Sequence, residues 1–103
     1  MAKFKLIWSE EAIDDLRRIY AITFKFTKSR AGAQAVKRDI LDTAKTVVFA
    51  KQHQADEFLG EPYRRMIVRQ YRIVYKEMPK NEIHILFLFN NRNSPTQLIQ
   101  RIQ

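Results

Sequence analysis

Apolar residues recur along this chain with two different periods. Phe4, Leu6 and Trp8 alternate with Lys3, Lys5 and Ile7, the two-residue period of a short strand. From Ala12 the spacing lengthens: Ala12, Ile13, Leu16, Ile19, Tyr20, Thr23 and Phe24 return every three or four positions, as the buried stripe of an amphipathic helix does. Ser9 stands where an N-cap belongs. Glu10, Glu11, Asp14 and Asp15 fill the first turns, where carboxylates meet the positive end of the helix dipole, so a helix is expected over residues 10–26. Thr27, Lys28 and Ser29 interrupt the pattern. A second helix is expected over residues 30–49, capped by Ser29, with Ala33, Val36, Ile40, Leu41, Ala44, Val47 and Val48 on its apolar side. The two helices then form a hairpin.

Residues 50–62, AKQHQADEFLGEP, lose the periodicity and end in Gly60 and Pro62, which marks a loop. The next stretch, YRRMIVRQYRIVYK over residues 63–76, carries five basic side chains and three tyrosines without a carboxylate. In an extended chain Arg65, Ile67 and Arg69 share one face and Arg64, Met66 and Val68 the other; Arg72, Val74 and Lys76 oppose Tyr71, Ile73 and Tyr75. Two strands with a bend near Gln70 are expected, with one long strand as the alternative because the bend lacks the Asn-Gly or Gly that a tight hairpin prefers. Met78, Pro79, Lys80 and Asn81 make a clearer turn before IHILFLF, a run apolar on both faces that belongs in the middle of a sheet. NNRNSP then reads as a turn, and TQLIQRIQ as a short helix carrying Leu98, Ile99 and Ile102. The expected order is βααβββ with a C-terminal helix, an α+β fold in a single domain spanning residues 1–103.

Composition narrows the chemistry. The chain has no cysteine, which excludes disulfides, thiolate metal sites and cysteine nucleophiles. Its longest apolar run, Ile83 to Phe89, contains His84 and is too short to cross a bilayer, and MAKFKLIW lacks the apolar core of a signal peptide, so no membrane association is expected and the cytoplasm is the expected location. Nineteen Lys and Arg against eleven Asp and Glu leave a net charge of +8, a field that attracts nucleic acid or an acidic protein. Residues 1–61 carry eleven basic and nine acidic groups and residues 62–103 eight and two, which assigns most of the excess to the C-terminal part. The plainer reading of such an excess is a solvated surface that keeps the protein soluble.

Order and spacing together carry a resemblance. WSEEAIDDLRRIY resembles the opening strand and first helix of the RelE/ParE superfamily, FLGEPYRRMIV and YRIVYK its central hairpin, and ILFLFNNRNSP its last strand and exit. These are the toxin halves of bacterial type II toxin-antitoxin pairs, often called plasmid-stabilisation proteins. The resemblance implies a small, mainly antiparallel sheet with a helical hairpin on one face and a concave basic face on the other. It implies a cognate antitoxin as partner, and growth inhibition when the antitoxin is lost. RelE-like members cleave messenger RNA on the ribosome, whereas ParE-like members act on DNA gyrase.

Metal-free RNA cleavage needs an activated 2′-hydroxyl, a stabilised phosphorane and a protonated leaving oxygen. By resemblance, the two phosphate-holding arginines of the nuclease pattern fall on Arg72 and Arg92. One strand lysine falls on Arg64 or Arg65, the other on Met66 or Ile67, and Thr96, Gln97 and Leu98 stand where the family has a tyrosine. Arginine is a poor base at neutral pH. His84, in the apolar strand, reads as a packed residue and His53 as an exposed loop residue. Tyr71 and Tyr75 read as cross-strand packing, and Tyr63 stands beside them as a group able to stack a base or relay a proton. Asp56, Glu57 and Glu61 precede the arginines without interleaving with them, so no metal site and no cofactor is expected. Arg64, Arg65, Arg69, Arg72, Lys76 and Arg92 are therefore the expected nucleic-acid or target-binding set, with Arg72 and Arg92 catalytic only in a nuclease. Between targets the pattern leans to ParE-like action on gyrase. The alternatives are a ribosome-dependent endoribonuclease and a degenerate module that only binds antitoxin. Charged residues on an edge strand also discourage aggregation, the plainest account of Arg64, Arg65 and Arg69.

Overall fold

The computed structural model describes residues 4–47 and 52–102. Its elements run β1 (Lys5–Trp8), α1 (Glu10–Thr27), α2 (Arg30–Lys45), β2 (Arg64–Val68), β3 (Tyr71–Met78), β4 (Glu82–Asn90) and α3 (Pro95–Gln100). The α+β order, including the short last helix, is the one expected. One sheet is formed in the order β1-β4-β3-β2, with β1 parallel to β4 and the other pairs antiparallel. β4 therefore sits between two strands, and helices cover the sheet on both of its faces, which is why its run is apolar on both.

Both helices of the hairpin lie on one side of the sheet. Ala12, Leu16 and Ile19 of α1 and Val36, Ile40 and Ala44 of α2 close over Met66, Ile73, Tyr75, Ile83, Ile85 and Leu88. On the other side α3 places Leu98 against Val74, Phe87 and Phe89. A β-bulge lets β4 serve both layers: Val74 pairs with Phe87 but Tyr75 with Ile85, leaving Leu86 extra. The extra residue shifts the alternation by one, so Ile83 and Ile85 share the helix-facing layer with Leu88. Its carbonyl accepts a 2.6 Å hydrogen bond from the Ser9 hydroxyl.

Ser9 also caps α1, its Oγ accepting from the Ala12 backbone at 3.0 Å, and Lys28 ends the helix in the left-handed region at φ 56°. Ser29 caps α2 through the Gly32 backbone at 3.0 Å. α2 stops at Lys45 rather than 49. The Thr46 hydroxyl donates to the Thr43 carbonyl at 2.6 Å, a local bond that competes with continuing the ladder. Val47 is still buried; Val48 lies outside the described residues. The bend near Gln70 is a two-residue hairpin loop in which Arg69 takes φ 54°, and Lys80 and Asn81 turn the chain into β4 with φ 67° and 58°. Among the described residues no helix is long and apolar enough to cross a membrane.

Candidate partner-binding surface

The arginines of β2 and β3 do not form an open basic face. Arg72 is 6% exposed, and its guanidinium donates to Asp56, to Glu57 at 2.9 Å and to the Asn91 side chain at 3.0 Å, with the Phe58 ring 5.2 Å away. Asp56 is itself buried. Its second oxygen accepts from the Phe58 and Leu59 backbone N–H groups, both at 2.9 Å, so one carboxylate folds the turn and anchors the arginine. Gly60 completes that turn at φ 71° and donates to the Asp56 carbonyl. Glu57 also receives Arg65 at 2.7 Å. Its hydrogen bonds to Arg72 and then to Arg65 hold its carboxyl well below the usual range, at about 2.

The remaining strand cations are also engaged. Arg64 donates to Glu61 and to the His53 carbonyl, and Lys76 lies 5.7 Å from the Tyr63 ring. Arg69 leaves the sheet at the hairpin turn and pairs with Asp39 of α2 at 2.7 Å, on the helical side. His53, expected to be exposed, is half-buried: its ring meets the Tyr75 ring edge-on at 6.2 Å, and its Nε2 is buried without a hydrogen-bond partner among the described residues. Burial, and then the charge of Arg65, lower its pKa. Tyr71 and Tyr75 are packed in the core, and His84 is half-buried with Nε2 3.0 Å from Glu82.

Arg72 and Arg92 line different cavities that adjoin at Phe89 and Asn93. A cavity of about 290 Å³ has Arg72 with Glu57, Phe58, Asn91, Pro95 and Leu98 in its wall. Arg92 belongs to a groove of about 590 Å³ that runs along α1 past Arg18, Ile22, Phe26, Tyr71 and Arg101. At its edge lies a cluster that the sequence did not mark. Asp15 is buried, accepting from the Leu88 backbone N–H at 2.9 Å, from Arg101 at 2.9 Å and from Arg18 at 3.1 Å. Arg101 further bonds Glu11 and the Leu88 carbonyl and lies 4.5 Å from the Phe87 ring. A third groove, of about 400 Å³, separates the two helices on their outer side, with Ile13, Leu16 and Tyr20 as apolar wall and Arg17 and Lys37 at its rim. Exposed Ile13, Ile22, Phe24 and Phe26 make α1 the most apolar outer surface among the described elements. No group of His, Asp and Glu among the described residues has the arrangement to hold a metal.

Comparison with known proteins agrees with this architecture. No curated protein matches the chain in sequence at a significant level. A chain described as the chromosomal ParDE toxin-antitoxin system from P. aeruginosa superposes with a TM-score of 0.70 at 20% identity, covering 85% of this chain and 96% of that one, which establishes the shared fold. Residues 6–94 match the family model for the ParE toxin of the type II toxin-antitoxin system parDE. That match runs from β1 through the turn after β4, and on it the chain belongs to the ParE toxin family.

Proposed function

We propose that this ParE-family toxin acts on DNA gyrase without cutting RNA and is held inactive by an acidic antitoxin. The observation that carries the reading is the state of Arg72. A nuclease of this fold would need Arg72 and Arg92 to hold one phosphate. Here Arg72 is buried against Asp56, Glu57 and Asn91, and Arg92 faces another groove. Freeing Arg72 would leave Asp56 as a buried, unpaired carboxylate, at a cost of several kcal/mol, about 3–5. The absence of a tyrosine around Gln97 removes the remaining proton-transfer group of the nuclease pattern. The antitoxin is expected to lay an amphipathic acidic segment along the groove between α1 and α2, burying Ile13 and Tyr20 and meeting Arg17 and Lys37.

The test sets purified protein against two substrates. Inhibition of gyrase supercoiling with messenger left intact on programmed ribosomes is the expected result. Arg72→Ala should then act only through stability. Ribosome-dependent cleavage lost in both Arg72→Ala and Arg92→Ala, by about 100-fold or more each, would establish the nuclease instead. Failure of both assays, with folded protein and normal growth on induction, would leave an antitoxin-binding module.

A further inference from the structure

Among the described residues most of the positive charge without an ion pair lies on the helical hairpin, the rest being Lys5, Lys76, Lys80 and Arg92 scattered over the sheet and its turns. Arg64, Arg65, Arg69, Arg72 and Arg101 are each held by a carboxylate. Lys25 in the last turn of α1, Lys28 in the bend, and Arg30, Lys37, Arg38 and Lys45 of α2 form no ion pair among the described residues, and all but half-buried Lys37 are exposed. Counted from Arg30, positions 37, 38 and 45 fall within an arc of about 100° on a helix that turns about 100° per residue. Arg30 and Lys45 stand about 22 Å apart along the axis. Asp39 points away, to Arg69, and Asp42 on the flank leaves the stripe a net positive balance.

We infer that this stripe of α2, Arg30, Lys37, Arg38 and Lys45, with Lys28 in the bend just ahead of it, is a docking surface for the phosphate backbone of duplex DNA. The setting rests on the gyrase reading, in which the target is a protein engaged with DNA. A protein partner needs apolar surface to cover, and the large exposed apolar side chains of the hairpin are all on α1, none on the described part of α2. α2 offers charge alone. Duplex DNA, with a charge every ~1.7 Å of its axis, asks for nothing more, and its affinity comes from the counterions that such binding releases. Lys37 also rims the groove assigned to the antitoxin, so an acidic segment seated there would remove part of the DNA-facing charge.

The test is a fluorescence titration of a labelled mixed-sequence duplex with the full chain at several salt concentrations, without gyrase. Neutralising one phosphate-binding side chain should reduce the slope of log K against log salt by about 1, so Lys37→Gln with Arg38→Gln should reduce it by about 2 and weaken binding alike on unrelated sequences. Lys5→Gln with Lys80→Gln removes the same charge elsewhere, at exposed positions in β1 and in the turn before β4, and should leave the slope nearly unchanged. Equal losses in the two double variants would mean that net charge alone is at work and would overturn the inference. So would an unchanged slope in the first variant, or a wild type that binds an acidic peptide but no duplex. Thermal melts confirm that both variants fold. Gyrase inhibition is scored separately, so a wild type that binds DNA by this stripe yet leaves gyrase unaffected keeps the surface and removes the function.

Discussion

Asp56 and Glu57 decide what Arg72 can do. Asp56→Ala would leave a buried guanidinium short of one partner and unpin the Phe58 and Leu59 backbone N–H groups, and urea unfolding should show a loss of about 3–5 kcal/mol. That is a large share of the 5–15 kcal/mol typical of a whole domain, so some of the variant should be unfolded at 37 °C. The same loop makes stability fall with acid. His53 has a folded pKa below its ordinary 6.5, so the unfolded chain takes up its proton first and stability declines as pH drops below that value. Glu57, held near 2 against an ordinary 4.5, contributes stability that is fully present above 4.5 and lost as pH falls toward 2. Denaturation midpoints measured from pH 7 to 2 should descend through both windows. In Glu57→Gln the lower part of the descent should flatten, by an amount limited by solvent screening since the Glu57 side chain is 47% exposed. The sequence held a sign of this loop: three carboxylates immediately before a run of arginines. Reading the arginines as a face toward solvent passed over the nearest available counterions.

Periodicity made the elements legible because each buries one stripe or one face. α1, the turn before β4 and the central position of β4 follow from spacing, charge and apolar content alone, whereas the bend at Gln70 lacks the glycine of a tight hairpin and is fixed only by the pairing of β2 with β3. Two further features do not follow from them. The bulge at Leu86 is invisible to a pattern already apolar on both faces, and only the pairing of Val74 with Phe87 and Tyr75 with Ile85 reveals it. The end of α2 depends on whether Thr46 bonds its own backbone, a competition too close for propensity to decide. Ser9 joins these two scales, since its oxygen caps α1 and reaches the bulged strand. Ser9→Ala removes the cap, worth about 1 kcal/mol, and also leaves the Leu86 carbonyl without that donor. Thermal unfolding should show a larger drop than for Ser29→Ala, whose hydroxyl serves only the hairpin bend and cap. Equal drops would mean that the bulge carbonyl finds another donor.

Charge is where reading along the chain was least informative, because folding pairs groups that are distant in sequence. The C-terminal part holds the surplus by count, yet five of its six arginines, all but Arg92, are matched by Glu11, Asp15, Asp39, Asp56, Glu57 and Glu61 from the first part. What is left unmatched therefore sits mainly on the hairpin, and a partner meets that remainder rather than the total. The same distant matching governs how the molecule closes. β1 has β4 as its sheet neighbour, and Arg101 fastens the last turn to Glu11 and Asp15 of the first helix. A nascent chain cut short at any codon before β4 thus has an orphaned first strand, an unfinished core and a carboxylate at position 15 with no Leu88 amide to receive it. A frameshift or nonsense mutation ahead of β4 therefore yields a chain that cannot complete this fold.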